Sequence, residues 1–166
     1  MKKIINIAIC CAIQSLISFC TYASDIPKLS DYPSQTSTVI HRTKTIDSSD
    51  AFTKEFRKRF TNALKNPVIF AGEYASTNWG CGSAGCTVTA LINVRTGKAL
   101  SYTFTSYYDE NEEMIGEEIC ESNKNSRLLQ TCETTEKDIN GQQKHYVNYY
   151  LLDTDTLKLI KKQLAP

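Results

Sequence analysis

Apolar residues recur at every second position through most of the second half of the chain, and at every third or fourth position in one earlier segment. Over 87–94, Val88, Ala90, Ile92 and Val94 alternate with their neighbours, the pattern of a half-buried strand. Arg95, Thr96, Gly97 and Lys98 read as a tight turn and 99–108 as the returning strand, so a hairpin is predicted. Further strands are expected over 68–71, 126–132, 144–153 and 157–162, with a turn at Asn140 and Gly141. A final helix competes with the last strand, because Leu157, Ile160 and Leu164 also fit one helical face. The turn preceding it resembles that at Arg95, and this favours the strand. One further edge strand is expected over 38–46.

The helical period appears once. Ser48 or Ser49 can cap a helix with Asp50 in its first turn, and Phe52, Phe56, Phe60, Ala63 and Leu64 then share a face. Lys54, Arg57, Lys58 and Arg59 lie opposite, and Asn66 with Pro67 ends the segment. The expected fold class is α+β: one amphipathic helix packed on an antiparallel β-meander of about five to seven strands, stapled by disulfides.

Residues 1–23 read as a signal peptide, with Lys2 and Lys3, an apolar run from Ile4 to Phe19, and small residues before a cleavage site near Ala23. Residues 24–47, rich in Ser, Thr, Asp and Pro, read as an extended N-terminal arm, and 48–166 as a single α+β domain. Export to the periplasm or beyond leaves Cys81, Cys86, Cys120 and Cys132 in an oxidising compartment. Three pairings are open to them. Cys81 with Cys86 and Cys120 with Cys132 are favoured because each closes a local loop, contributing about 2 and 3 kcal/mol in the chain-entropy model. A four-cysteine zinc site is the alternative, and the irregular spacing opposes it. No cofactor is expected, and no later segment is apolar enough to span a bilayer.

Loss of Lys2 and Lys3 moves the formal charge from +1 to −1. With no basic block and no nucleic-acid motif, DNA and RNA are excluded as partners. Residues 109–121 carry seven carboxylates and no cation, which reads either as a solvated loop with an edge strand or as a surface for a cationic protein. The 79–86 stretch is the first candidate for partner binding, through Trp79, Gly80, Gly82, Ser83, Ala84 and Gly85. A closed Cys81–Cys86 ring would display a small loop beside the only tryptophan. Trp79 in the core is the competing placement. His41 and His145, the only histidines, sit in no nucleophile or metal motif, so catalysis is not expected.

Phe70, Ala71, Gly72 and Tyr74, then Trp79-Gly-Cys-Gly82, Cys86, Thr96-Gly-Lys98, Ser126-Arg-Leu-Leu129 and Tyr149-Tyr-Leu-Leu-Asp153, resemble the ordered landmarks of small uncharacterised exported bacterial proteins. That resemblance implies export and a β-meander and no catalytic residue. The chain is also similar, in size, export and the Cys-x4-Cys loop, to the vertebrate-lysozyme inhibitors of the bacterial periplasm. The family's loop presents a histidine to the enzyme's cleft, whereas 82–85 here holds no ionisable group. The functional expectation is a non-catalytic binding protein, in one version an inhibitor of a cell-wall hydrolase. A structural or accessory protein of an envelope assembly is the alternative, and a hydrolase comes last.

Overall fold

The structure is a computed structural model that describes residues 26–35, 41–82 and 85–166; the stretch read as a signal peptide, the start of the expected 38–46 strand, Ser83 and Ala84 lie outside the described residues. Seven strands follow one another in a single antiparallel meander: β1 (Tyr74–Gly80), β2 (Thr87–Asn93), β3 (Ala99–Tyr108), β4 (Met114–Glu121), β5 (Leu128–Thr134), β6 (His145–Asp153) and β7 (Thr156–Leu164). The expected 87–94 and 99–108 hairpin is present, and the last segment is a strand. Two expectations shift. Residues 68–71 are not a strand; the chain instead turns tightly through Ala71 and Gly72, both at positive φ, and β1 begins at Tyr74 inside the stretch read as a loop. The acidic 109–121 segment supplies β4, which is no edge but lies between β3 and β5.

The single expected helix is divided into α1 (Ala51–Glu55) and α2 (Arg57–Ala63) by Phe56, whose ψ of 27° leaves the helical region. The break lets the Phe52, Phe56 and Phe60 rings gather, with Phe52 5.3 Å from Phe56 and 5.5 Å from Phe60. Packing here overrides local helical propensity. The cap is Asp50 rather than a serine: its carboxylate accepts from the Thr53 amide at 2.8 Å and the Thr53 hydroxyl at 2.7 Å. That hydroxyl, fully buried, accepts from the Ala99 amide at 3.0 Å and so fastens α1 to the start of β3.

Two apolar clusters cover the two faces of the sheet. Phe60, Ala63, Leu64, Ala75, Ala90, Ile92, Val94 and Ala99 fill the space beneath the helices. Phe70, Tyr74, Leu91, Leu100, Phe104, Leu129, Tyr150 and Leu152 meet on the other side. A flat sheet would hold β1 and β6 roughly 24 Å apart. Yet the Tyr74 hydroxyl on β1 donates to Asp155, in the turn after β6, at 3.4 Å, and Lys98 reaches Asp155 at 3.6 Å. The sheet therefore coils on itself, and the second cluster lies on its concave face.

The arm is fastened to this body at both described parts. Pro33 bridges to Ser126, and the Arg127 amide donates to the Tyr32 carbonyl at 2.8 Å. Residues 41–46, expected as part of an edge strand, carry none; the Thr43 amide donates to Val94 and the Arg42 guanidinium caps the Leu64 and Asn66 carbonyls at 2.7 and 2.8 Å. Gly116 is where β4 presses on β3: at φ +102° its hypothetical Cβ would lie 2.2 Å from the Thr105 carbonyl oxygen. Gly116→Ala is expected to cost at least about 2 kcal/mol in urea denaturation, against about 1 kcal/mol for Gly141→Ala. Gly141 also has positive φ, but no neighbour within 4 Å of a Cβ.

Candidate binding site

The β1–β2 hairpin ends in the Cys81–Cys86 disulfide, with Cα atoms 5.2 Å apart and the Cys81 amide donating to the Cys86 carbonyl at 3.0 Å. Gly80, Cys81, Gly82 and Gly85 are exposed at this tip. Gly85 adopts φ +69° and lies against Tyr108, whose ring is 3.6 Å from the position of a Cβ. Trp79 does not belong to the displayed tip. It is half-buried, stacked on Phe56 at 4.9 Å and edge-on to Phe60 at 6.2 Å, with the Arg59 guanidinium 5.2 Å from its ring centre. Its indole therefore serves the helix-covered cluster, the competing placement weighed for it, while Gly80, Gly82 and Gly85 carry the tip.

Antiparallel pairing brings the acidic turn to the same end of the sheet, since Gly80 pairs with Thr87, Thr87 with Ser106, and Ser106 with Gly116. Asp109 organises that turn by accepting from the Glu113 and Asn111 amides at 2.9 and 2.8 Å. The Glu113 amide, first among these donors, holds the Asp109 carboxyl below its ordinary value. Lys137 reaches Asp109 at 3.4 Å and Glu113 at 3.3 Å, tying the 135–144 loop to the turn. Glu110 and Glu112 are exposed and make no ion pair among the described residues, and Tyr108 is 58% exposed beside them. Ile139, at the crest of the neighbouring loop, is fully exposed.

Sequence reasoning missed a second constellation, on the concave face. The Glu117 carboxylate of β4 accepts from the Tyr150 hydroxyl at 3.0 Å, the Asn148 amide at 2.9 Å, the Tyr102 hydroxyl at 3.3 Å and the Thr131 hydroxyl. Asn148 also donates to Glu133 at 2.7 Å, and Glu133 holds Lys162 at 2.7 Å. The Tyr102 and Tyr150 hydroxyls are 2.7 Å apart. Burial, then Tyr102 and the Glu117 charge, push the Tyr150 phenol far up. These groups, Thr131 excepted, border an open cavity of about 540 Å³ that also takes in Tyr107, Glu136 and Leu159. The signal was in the alternation itself: Glu117 stands between Ile115 and Ile119, and Asn148 between Tyr146 and Tyr150, at positions whose neighbours in the period face the core.

The second disulfide, Cys120–Cys132, joins β4 to β5 with Cα atoms 5.7 Å apart, beside the bulge between Ile119 and Glu121. All four of these cysteines are bonded, so none is free to hold zinc. His145 is exposed, its Nδ1 3.1 Å from the Thr134 hydroxyl, and His41 is exposed in the arm. Among the described residues no helix is long and apolar enough to cross a membrane and no group of side chains is placed to hold a metal ion. Paired cysteines of this kind suit an oxidising compartment. Comparison with protein-family models, curated proteins and solved structures finds no match to the chain.

Acid should loosen the concave network at Glu133. Burial opposes its ionisation, but the Asn148 amide and the Lys162 ammonium outweigh burial and hold its carboxyl below the ordinary 4.5. A depressed pKa stabilises the fold above 4.5, and that contribution is lost as the pH falls through the lower folded value. The urea midpoint should therefore decline as the pH falls below about 4.5, and Lys162→Met should make that decline smaller.

Proposed function

We propose that this protein is an exported, non-catalytic binding protein that engages a basic protein through the sheet end carrying the stapled tip and the acidic turn. The observation that carries the reading is convergence: the disulfide-closed tip, the exposed Tyr108 ring and the unpaired Glu110 and Glu112 carboxylates share one end of the sheet. A covalently closed tip loses little freedom on binding, which favours affinity. Tyrosine is a frequent interface anchor. Carboxylates at the rim speed the encounter with a cationic partner more than they tighten the complex.

Neutralisation of a cell-wall hydrolase is the specific version of this reading, and a periplasmic setting follows from the signal-peptide reading of 1–23. Because the tip offers no ionisable side chain, blockade would rest on shape and Tyr108 rather than on a group directed at catalytic carboxylates. An accessory role in an envelope assembly is the second reading, favoured by β7, an edge strand that exposes Leu159, Ile160 and Leu164. A hydrolase using the carboxylates of Glu117 and Glu133 comes last, and turnover that survives changes at the tip but not Glu117→Gln would favour it.

The test is surface plasmon resonance of the oxidised protein against a vertebrate lysozyme and against proteins retained from periplasmic and host-fluid extracts. The expected result is one-to-one binding whose association rate falls with salt, drops about tenfold in Glu110→Gln/Glu112→Gln, and whose dissociation accelerates in Tyr108→Ala. Reduction of Cys81–Cys86, or Cys81→Ser/Cys86→Ser, should weaken it further. Partners bound equally by the native protein and by folded variants at all of these positions would overturn the proposal.

A further inference from the structure

We infer that the cavity on the concave face binds a small organic cation bearing N–H donors, a primary ammonium being the simplest. Asn148 decides the chemistry. It is 1% exposed, lines the cavity, and spends its amide N–H groups on Glu117 and Glu133, while its Oδ1 has no partner among the described residues. Turning the amide over would set Oδ1 against two carboxylates, so the orientation is the favoured one. A buried acceptor without a donor costs stability, and a ligand that supplies the donor recovers it.

Charge and wall chemistry specify the rest of that ligand. The cavity is bordered by the carboxylates of Glu117, Glu133 and Glu136 and by a single cation, Lys162, which is already held by Glu133. Glu117 takes only neutral donors among the described residues. Tyr102, Tyr107 and Tyr150 add aromatic surface, whose ring faces attract an ammonium. Lys162 already uses that preference, its ammonium 4.2 Å from the centre of the Tyr146 ring. The space, about 540 Å³, lies within the range of small-molecule sites.

The experiment is a ¹H–¹⁵N NMR titration of the oxidised protein with n-butylammonium chloride, set against n-butanol and against sodium chloride at equal ionic strength. Saturable shifts centred on the Asn148 side-chain amide, absent with butanol and sodium chloride, are expected. Glu117→Gln should weaken binding about tenfold, and Lys162→Gln, which removes the competing cation, should strengthen it severalfold. Glu110→Gln/Glu112→Gln should leave amine binding unchanged, so the site stands or falls separately from the protein-binding surface. The inference is overturned by the absence of saturable shifts, by an equal response to butanol, or by shifts confined to 109–113. Should Glu117→Gln fail to fold, Lys162→Gln decides, since unchanged or weaker binding in that variant is equally fatal.

Discussion

A single-layer sheet has two faces, and the helix among the described residues covers only part of one. The two helical segments shield β1, β2 and the beginning of β3, where Phe60, Ala75, Ile92 and Ala99 are buried beneath them. Among the described residues no helix lies over the other face, and there the strands cover it themselves. Coiling achieves this by bringing Tyr74 from β1 against the turn after β6 and gathering Phe104, Leu129 and Tyr150 between them. The right-handed twist natural to antiparallel strands provides the direction of that curl.

The inner face is not apolar throughout. Its core of Leu91, Leu100, Leu129 and Leu152 gives way to Glu117, Thr131, Asn148 and the two tyrosine hydroxyls. Charged groups in such a place destabilise unless bonded, and here each carboxylate has donors from several strands. The network consequently acts as a lattice of cross-links over β3, β4, β5 and β6 as well as a polar lining. Cys120–Cys132 fastens β4 to β5 beside it. Rigidity there and exposure at the stapled tip are properties of the same meander, because hairpin ends fall outside the packed interior while strand centres fall within it.

Much of the meander was legible, β2 and β3 in period-two patterning, β6 in a β-rich run and β7 through the turn before it, and so was the local pairing of both disulfides. Of the Phe52, Phe56 and Phe60 stripe, Phe60 is buried, and Phe52 and Phe56 are half-buried on two short helices rather than one. The break at Phe56 was not legible, since it arises from rings converging on Trp79, a contact between segments far apart in sequence. Tyr74–Gly80 was read as loop because glycines and small polar residues mask a strand whose partners, Asn93 to Thr87, supply the alternation.

Sequence alone determined the alternation of apolar residues, the turn chemistry at Gly97, the spacing that lets cysteines close locally, and the run of carboxylates over 109–121, because each is a property of neighbouring residues. Tertiary structure alone decided that this run begins an interior strand, that Trp79 is covered by Phe56 while the tip beyond it is displayed, and that Glu117, Asn148 and Tyr150 meet. The physical reason is that strand pairing and curl join positions 31 and 33 residues apart, as in the bonds from Asn148 and Tyr150 to Glu117, and no local pattern encodes which partner lies across the sheet.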